Sequence, residues 1–445
     1  MNKHQQSGMT TLLITSMLLI VALLFSLASY KNLFYQIKRT QNEVLARQAH
    51  WVAEGGLECG FVELKHEKIK PTESAFSQQC IELALFPVSA LTIIPDPPIG
   101  DHSKYVLKSS YTHAGVKQSV KKVIEYGGGG VVSTLQTSAS IQLTGSQHFV
   151  PNKTQDKTSD GRYKCKSVIS GGTVNYIASV GTDEHFLTID ATSRHGGVLG
   201  IPSFECNSAY LSNLYEVGKE PTGFAGILPI KGSDILENET VDVFKDIFGK
   251  DISEYASVRE EIKTDAVGVV FGEHSSDRTS GGWVKNCHTK IKKEYDNGKR
   301  RFWINGNCAL EGSIFGIAQD MNNTVQLIVF DGVLFIKAMS DFNGLIYLYT
   351  NPLLNVQTIW EDLFYKYSEI GVIPGSFQKH DIVTSGYSNI PFLLEGSTRI
   401  DGGIGIDAIN RVIKIYGSVI PSYNEDKVTK YSTQMKWQQG SWHDF

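Results

Sequence analysis

The stretch Ser7-Gly8-Met9-Thr10-Thr11-Leu12-Leu13-Ile14-Thr15-Ser16-Met17-Leu18-Leu19-Ile20-Val21-Ala22-Leu23-Leu24-Phe25-Ser26-Leu27-Ala28-Ser29-Tyr30 decides the fold. From Met9 to Tyr30 it holds no Asp, Glu, Lys, Arg, His or Pro. At ~1.5 Å rise per residue this makes roughly 33 Å of helix, enough to cross a hydrocarbon core of about 30 Å. The helical pattern then runs on to residue 58. Leu33, Ile37, Val44 and Trp51 keep one apolar stripe at spacings of four, seven and seven, and Lys31, Lys38, Arg39, Glu43, Arg47 and Glu54 take the other faces. The expectation is one helix over residues 9–58, lipid-soluble at first and amphipathic after, its later stripe packed against a globular head.

The polar leader ending in Gly8, the uncharged run opening at Met9, and Ala53-Glu54-Gly55-Gly56-Leu57-Glu58 at the far end of the helix resemble a class III prepilin. Among these the chain is most similar to the PilX-like minor pilins of type IV pili. The resemblance implies cleavage after Gly8 by a prepilin peptidase and methylation of the new amino terminus at Met9. Most pilins carry a Glu five residues into the mature chain, paired with the terminal amine of a neighbouring subunit, and Leu13 stands at that position here. An unpaired amine in an apolar filament core is costly, so the loss suits a subunit at the filament end. A second departure is size, since the chain beyond the helix is far longer than a shaft pilin needs.

With 445 residues, 41% hydrophobic and 20% charged, the chain is ordinary for a globular protein of two or three domains. A net charge of −4 supplies no basic field for nucleic acid. The six cysteines, Cys59, Cys80, Cys165, Cys206, Cys287 and Cys308, all follow the apolar segment. None forms Cys-x-x-Cys or sits at zinc-finger spacing. An even number on one side of a membrane segment suits an oxidising compartment and disulfides. Sequence order suggests 59–80, 165–206 and 287–308, though six cysteines allow about fifteen pairings. Basic residues near the segment, Lys3 before it against Lys31, Lys38, Arg39 and Arg47 after it, point the head inward. The cysteines point it outward, and they decide the reading, because the later charges fit the solvated face of a continuing helix.

After the helix, Pro71-Thr72-Glu73-Ser74 breaks the pattern, Pro95, Pro97 and Pro98 read as a loop, and 105–110 and 116–126 read as strands around His113-Ala114-Gly115. Residues 59–126 would be a small pilin-like α/β head, and the glycine run 127–130 a linker. No Lys-Ser/Thr follows that run, so it is not a phosphate cradle. Residues 131–445 are β-rich, expected outside the cell, with an amphipathic helix within 235–263 carried by Val241, Phe244, Ile247 and Phe248. Glu294-Tyr-Asp-Asn-Gly-Lys-Arg-Arg301 reads as a hairpin turning at Asn297-Gly298, with a basic, aromatic face that is most simply solvated. Apolar strands are expected at 325–330, 332–336, 344–349, 404–409 and 411–415, with turns at Asp331-Gly332, Asn343-Gly344 and Asp401-Gly402-Gly403. Strands apolar on both faces suggest solenoid rungs or a sandwich. Phe302-Trp-Ile-Asn-Gly-Asn-Cys308, Phe330-Asp-Gly-Val-Leu and Asn343-Gly-Leu-Ile-Tyr are similar to the β-rich C-terminal extension of large PilX-like proteins.

The fold class is thus α+β, a long helix with a small antiparallel sheet and then a large, mainly β domain. Chemistry is sparsely signalled. Gly402-Gly403-Ile404-Gly405-Ile406-Asp407-Ala408-Ile409-Asn410 fits a calcium-binding nonapeptide, with oxygen ligands from Asp401 and Asp407, but a single copy reads more simply as a tight turn. His274-Ser275-Ser276-Asp277 gathers hydrolase residue types without a Gly-x-Ser-x-Gly elbow, and His66-Glu67 has Lys70 where a zincin has its second His. No enzyme activity and no cofactor are expected.

The function expected is a non-enzymatic minor pilin at or near a pilus tip, acting in assembly priming or surface adhesion. Its partners would be other pilins, the prepilin peptidase and, before assembly, the inner membrane, with the head in the periplasm and later at the cell surface. The alternatives are a type II secretion pseudopilin, and an envelope-anchored enzyme or glycan-binding protein.

Overall fold

The computed structural model describes residues 3–67, 76, 80, 87–96, 104–126, 130–177, 184–189, 204–221, 224, 226–272, 282–312, 314–315, 323–370, 389–431, 435–438, 440 and 443–444. The break read at Pro71, the loop at Pro97 and Pro98, glycines 127–129 and the group from His274 to Asp277 lie outside them. The chain divides into two compact units, Met1–Tyr126 with Met435–Phe445, and Gly127–Gln434.

In the first unit, helix α1 runs unbroken over Lys3–Glu67. Gly55-Gly56 does not stop it. A side chain at Gly56 would collide with Ser109 and Val88, so the close approach of the sheet offsets the ~1 kcal/mol that glycine costs a helix. That sheet is antiparallel, in the order β1 (Ala90–Pro95), β2 (Lys104–His113), β3 (Val116–Tyr126) and β24 (Met435–Trp437), with β25 (His443–Asp444) also on β3. Strands β2 and β3 are joined through Ala114 and Gly115, both at positive φ, as a tight two-residue hairpin requires.

Ala49, Ala53, Leu57, Phe61 and Leu64 of α1 pack on Leu107, Tyr111, Val120, Ile124 and Met435. The stripe expected to do this, Leu33, Ile37, Val44 and Trp51, stays exposed. Trp51 lies about 200° around the helix from both Ala49 and Ala53, and the small alanines let the sheet come close where a tryptophan would hold it off. Residues from Met435 onward also return to this sheet, so the β-rich unit closes at Gln434 rather than at the chain end.

The second unit is a parallel β-solenoid with three faces. The first stacks β13 (Ile235–Leu236), β9 (Val168–Ser170), β4 (Leu135–Thr137), β21 (Thr398–Asp407), β19 (Asp341–Tyr349), β17 (Val325–Phe330), β15 (Arg301–Asn305) and β14 (Gly268–Phe271). The second stacks β10 (Val174–Ile177), β5 (Ser140–Thr144), β22 (Val412–Tyr416), β20 (Phe392–Glu395), β18 (Leu334–Lys337) and β16 (Cys308–Glu311). The third holds β12 (Asn213–Leu214), β11 (Phe186–Thr188), β6 (Gln147–Phe149) and β23 (Val419–Tyr423), continued by the first residues of β21 and β19. A separate hairpin joins β7 (Asn152–Lys157) to β8 (Tyr163–Lys166).

The coils are not stacked in sequence order. The chain winds from β14 through to β23, and that last coil lies on the first one, β21 on β4, β22 on β5 and β23 on β6. The residues between β13 and β14 must therefore travel back along the stack. They do so partly as helices α2 (Val243–Phe248) and α3 (Tyr255–Thr264) laid over the first face.

Strands apolar on both faces now have their explanation. Inward residues such as Phe302, Leu327, Ile346 and Ile404 fill the solenoid, while Trp303, Ile328, Leu345 and Tyr347 point outward beneath α2 and α3. On the second face Ala309, Phe335 and Leu393 are covered by Val356, Ile359, Trp360 and Leu363 of α5 (Val356–Ile370). The helix expected within 235–263 is thus two shorter helices. The hairpin expected over 294–301 is also a helix end. α4 (Cys287–Asp296) buries Cys287 and Ile291, and Asn297-Gly298 terminates it, Gly298 at φ 90° with its N–H on Tyr295 O.

The turns read at Asn343-Gly344 and Asp401-Gly402-Gly403 are corners inside continuous strands. β21 pairs with β23 through Gly402 and with β4 from Ile404. Gly344 and Gly402 stack in register at φ 140° and 154°, and a Cβ on Gly402 would meet the Gly344 carbonyl oxygen.

Candidate functional site

The surface that separates this chain from a compact globular protein is α1. Gly8 and Met9 lie within its continuous run. Met9, Leu13 and Tyr30 are all exposed, as are the other large apolar side chains between them, and the segment is long and apolar enough to cross a membrane. Two of its hydroxyls are turned onto the helix itself, Thr15 Oγ1 donating to Thr11 O at 2.9 Å and Ser16 Oγ to Leu13 O at 2.9 Å. Such bonds satisfy polar groups that an apolar surrounding would leave stranded. Beyond Tyr30 the exposed apolar residues continue as Leu33, Phe34, Ile37, Val44 and Trp51, the last 67% exposed. Some of the charged residues between them are held along the helix, Arg47 by Glu43 at 3.3 Å and Lys38 over the Phe34 ring at 4.9 Å.

The six cysteines form three bridges in sequence order, Cys59–Cys80, Cys165–Cys206 and Cys287–Cys308. The first ties the end of α1 to the segment before β1, and the third pins α4 to β16. Alongside the first, the Trp437 ring stacks on Phe61 at 4.2 Å, donates Nε1–H to Glu58 at 3.3 Å and lies under the Lys122 ammonium. This C-terminal latch has only Met435-Lys436-Trp437 as its sequence signal, too short to show a period.

Asp401 and Asp407 are not brought together. They stand six residues apart on β21, about 20 Å along the strand. Asp401 is paired with the buried Lys427 ammonium and accepts from Asn424 Nδ2. Asp407 accepts from Phe244 N–H at 2.7 Å, Val243 N–H at 3.4 Å and Tyr347 O–H at 2.9 Å, which fastens α2 to the solenoid. Burial pushes its carboxyl up to about 6, against these hydrogen bonds. A third buried acid, Asp234, accepts from Ser167, Thr188 and Ser212, and burial raises it as well. Among the described residues no cluster of three or more His, Cys, Asp or Glu could hold a metal ion.

One cleft opens where the helical cover meets the ends of β17 and β19. It encloses about 340 Å³ and is lined by Ile252, Ser253, Tyr255, Phe330, Asp331, Tyr349 and Asn351. Phe330 is nearly buried and lies stacked between neighbours, its centroid 4.5 Å from Tyr255, 4.8 Å from Tyr349 and 5.0 Å from Trp303. The wall is rigidly held. Asp331, at φ 59°, gives its N–H to Tyr349 O at 2.9 Å, Thr350 Oγ1 donates to Gly332 O at 2.7 Å, and Asn351 Oδ1 accepts from Leu353 N–H at 3.0 Å. Strand register sets Phe330 beside Tyr349, and the stacking of Tyr255 on Phe330 brings in the segment from Ile252, so residues distant in sequence meet here. No known family model, no curated protein and no solved structure matches this chain.

Proposed function

We propose that the chain is a PilX-like minor pilin of a type IV pilus, a non-enzymatic subunit cut after Gly8, methylated at Met9 and incorporated at or near the filament tip. One observation carries this reading. Exposed apolar side chains on α1 persist to Trp51, about 60 Å of helix beyond Met9. That is about twice the hydrocarbon thickness a bare anchor has to match. Water-exposed apolar surface of such extent calls for a protein cover, and the matching helices of neighbouring pilins would supply it. The bulk of the Gly127–Gln434 unit and the apolar Leu13 favour the tip, where one neighbour is missing. Before assembly the same helix would hold the protein in the inner membrane with the disulfide-bonded units in the periplasm, and later at the cell surface for priming or adhesion.

The test is a photo-crosslinking residue at position 51 in cells that assemble pili. Adducts with another pilin in sheared filaments are expected; adducts with lipid alone would make the helix a simple anchor. Labelled heads spaced regularly along the shaft would remove the tip placement.

A further inference from the structure

Lys427 is a buried cation served by few acceptors. It lies on a short helix, α6 (Glu425–Thr429), laid over β19 and β21. Its side chain is 4% exposed, and that of Asp401, its partner on β21, is 13% exposed. An ammonium carries several N–H donors, yet among the described residues only Asp401 Oδ2 accepts from Lys427 Nζ. Asp401 Oδ1 in turn takes Asn424 Nδ2–H at 3.4 Å. Apolar side chains close in beside the pair: a Cβ on Gly403, two residues on from Asp401, would meet Val131 and Val428. Opposite charges kept from water with so few hydrogen bonds are a costly arrangement, and chemistry offers this pair a way to remove both.

We propose that Lys427 and Asp401 condense to an intramolecular amide, Nζ joined to Cγ with loss of water. The proton of their hydrogen bond passes from Nζ to Oδ2, leaving a neutral amine and a neutral acid. Nζ then attacks Cγ; the C–N bond forms and the carbonyl electron pair moves onto Oδ1, where the Asn424 N–H stabilises it as an oxyanion-hole donor does. Oδ2 leaves with its proton and one more from Nζ as water, and the carbonyl reforms at Oδ1. No oxidant, metal or other reagent enters. In bulk water hydration favours the separated ions over the amide; in a contact shielded from water that advantage is lost. Proximity supplies the rate. Asp401 is fixed by the pairing of β21 with β19 and β23. Lys427 is fixed by the turn before it, where Asn424 N–H donates to Gly402 O at 3.0 Å and Asn424 Oδ1 accepts from Lys427 N–H at 3.4 Å. The bond joins β21 to the helix that follows β23, close to the end of the second unit at Gln434. A pull on the chain there would load the amide instead of peeling β23 from β21. The inference concerns the second unit alone and stands whether or not α1 enters a filament.

The experiment is peptide mapping of the full chain, purified in detergent, reduced, denatured and cut with trypsin. Cleavage at the surrounding basic residues puts Asp401 in residues 400–411 and Lys427 at the end of residues 415–427. The expected product is a branched peptide, 400–411 linked to 415–430 and lighter than its parts by one water, because trypsin does not cut after an acylated lysine. Lys427→Arg keeps the charge and an ion pair, but a guanidinium does not yield a neutral nucleophile, so this variant should give the linear peptides at full mass. Wild-type peptides that are linear, with the chain cut after Lys427, would overturn the proposal. So would a loss of water in residues 400–411 that persists in Lys427→Arg, which would mark a cyclic imide at Asp401-Gly402 in place of the cross-link.

Discussion

Asp407 shows how a residue that reads as a ligand becomes a fastener. Its carboxylate holds the first amides of α2 and the Tyr347 hydroxyl, and its pKa of about 6 means that the fold keeps the proton more tightly than the unfolded chain does. The sign follows from linkage. Between the ordinary carboxylate value and 6 the folded state binds more protons, so stability is present below that window and lost as pH rises through it. The loss is at most about 3 kcal/mol by the pKa shift. Asp407→Asn, whose Oδ1 still accepts from Phe244, should be more stable than the wild type in urea at pH 8 and lose that advantage at pH 4.5. An advantage equal at both values would deny the buried charge. Gly402 makes a steric argument instead. Its stacked corner with Gly344 leaves no room for a Cβ, so Gly402→Ala should cost about 2–4 kcal/mol in the same titration, whereas a turn on the surface would lose far less.

At the scale of elements, the sequence supported some readings and misled others for identifiable reasons. The apolar run of α1 and the alternation of β2 and β3 are long enough to declare their period. The choice of buried face on α1 was not legible, because the first two residues that face the sheet, Ala49 and Ala53, are small, and the large stripe ending at Trp51 is the one left outside. Asn297-Gly298 is compatible with both a hairpin and a helix stop. Ile291 and Cys287, buried four residues apart, decide for the helix, and Cys308 is where the bridge makes that visible. Strands β24 and β25 were hidden by their shortness. Their importance can be measured: deleting residues 435–445 removes Met435 and the Trp437 stack from the core under Phe61. The first unit should then melt several degrees lower, with the second unit's transition unmoved. An unchanged first transition would mean that the C-terminal strands are decoration.

For the whole molecule, the solenoid could be anticipated from strands apolar on both faces, but its order could not. Stacking of the last coil on the first depends on pairings between β21 and β4 and between β22 and β5, some 270 residues apart in the chain. No local pattern encodes such a contact. The same limit hid the aromatic cleft, whose lining residues are united by strand register and by the packing of Tyr255 on Phe330. The leader and helix, by contrast, are local and continuous, and on them the functional proposal depends. Its central claim is that Gly8–Met9 is a processing site, and the most direct test is the intact mass of the N-terminal peptide after co-expression with a cognate prepilin peptidase. The account predicts a chain beginning at N-methylated Met9. A chain still beginning at Met1, with the peptidase active on another prepilin in the same cells, would contradict it and leave a membrane-anchored solenoid protein.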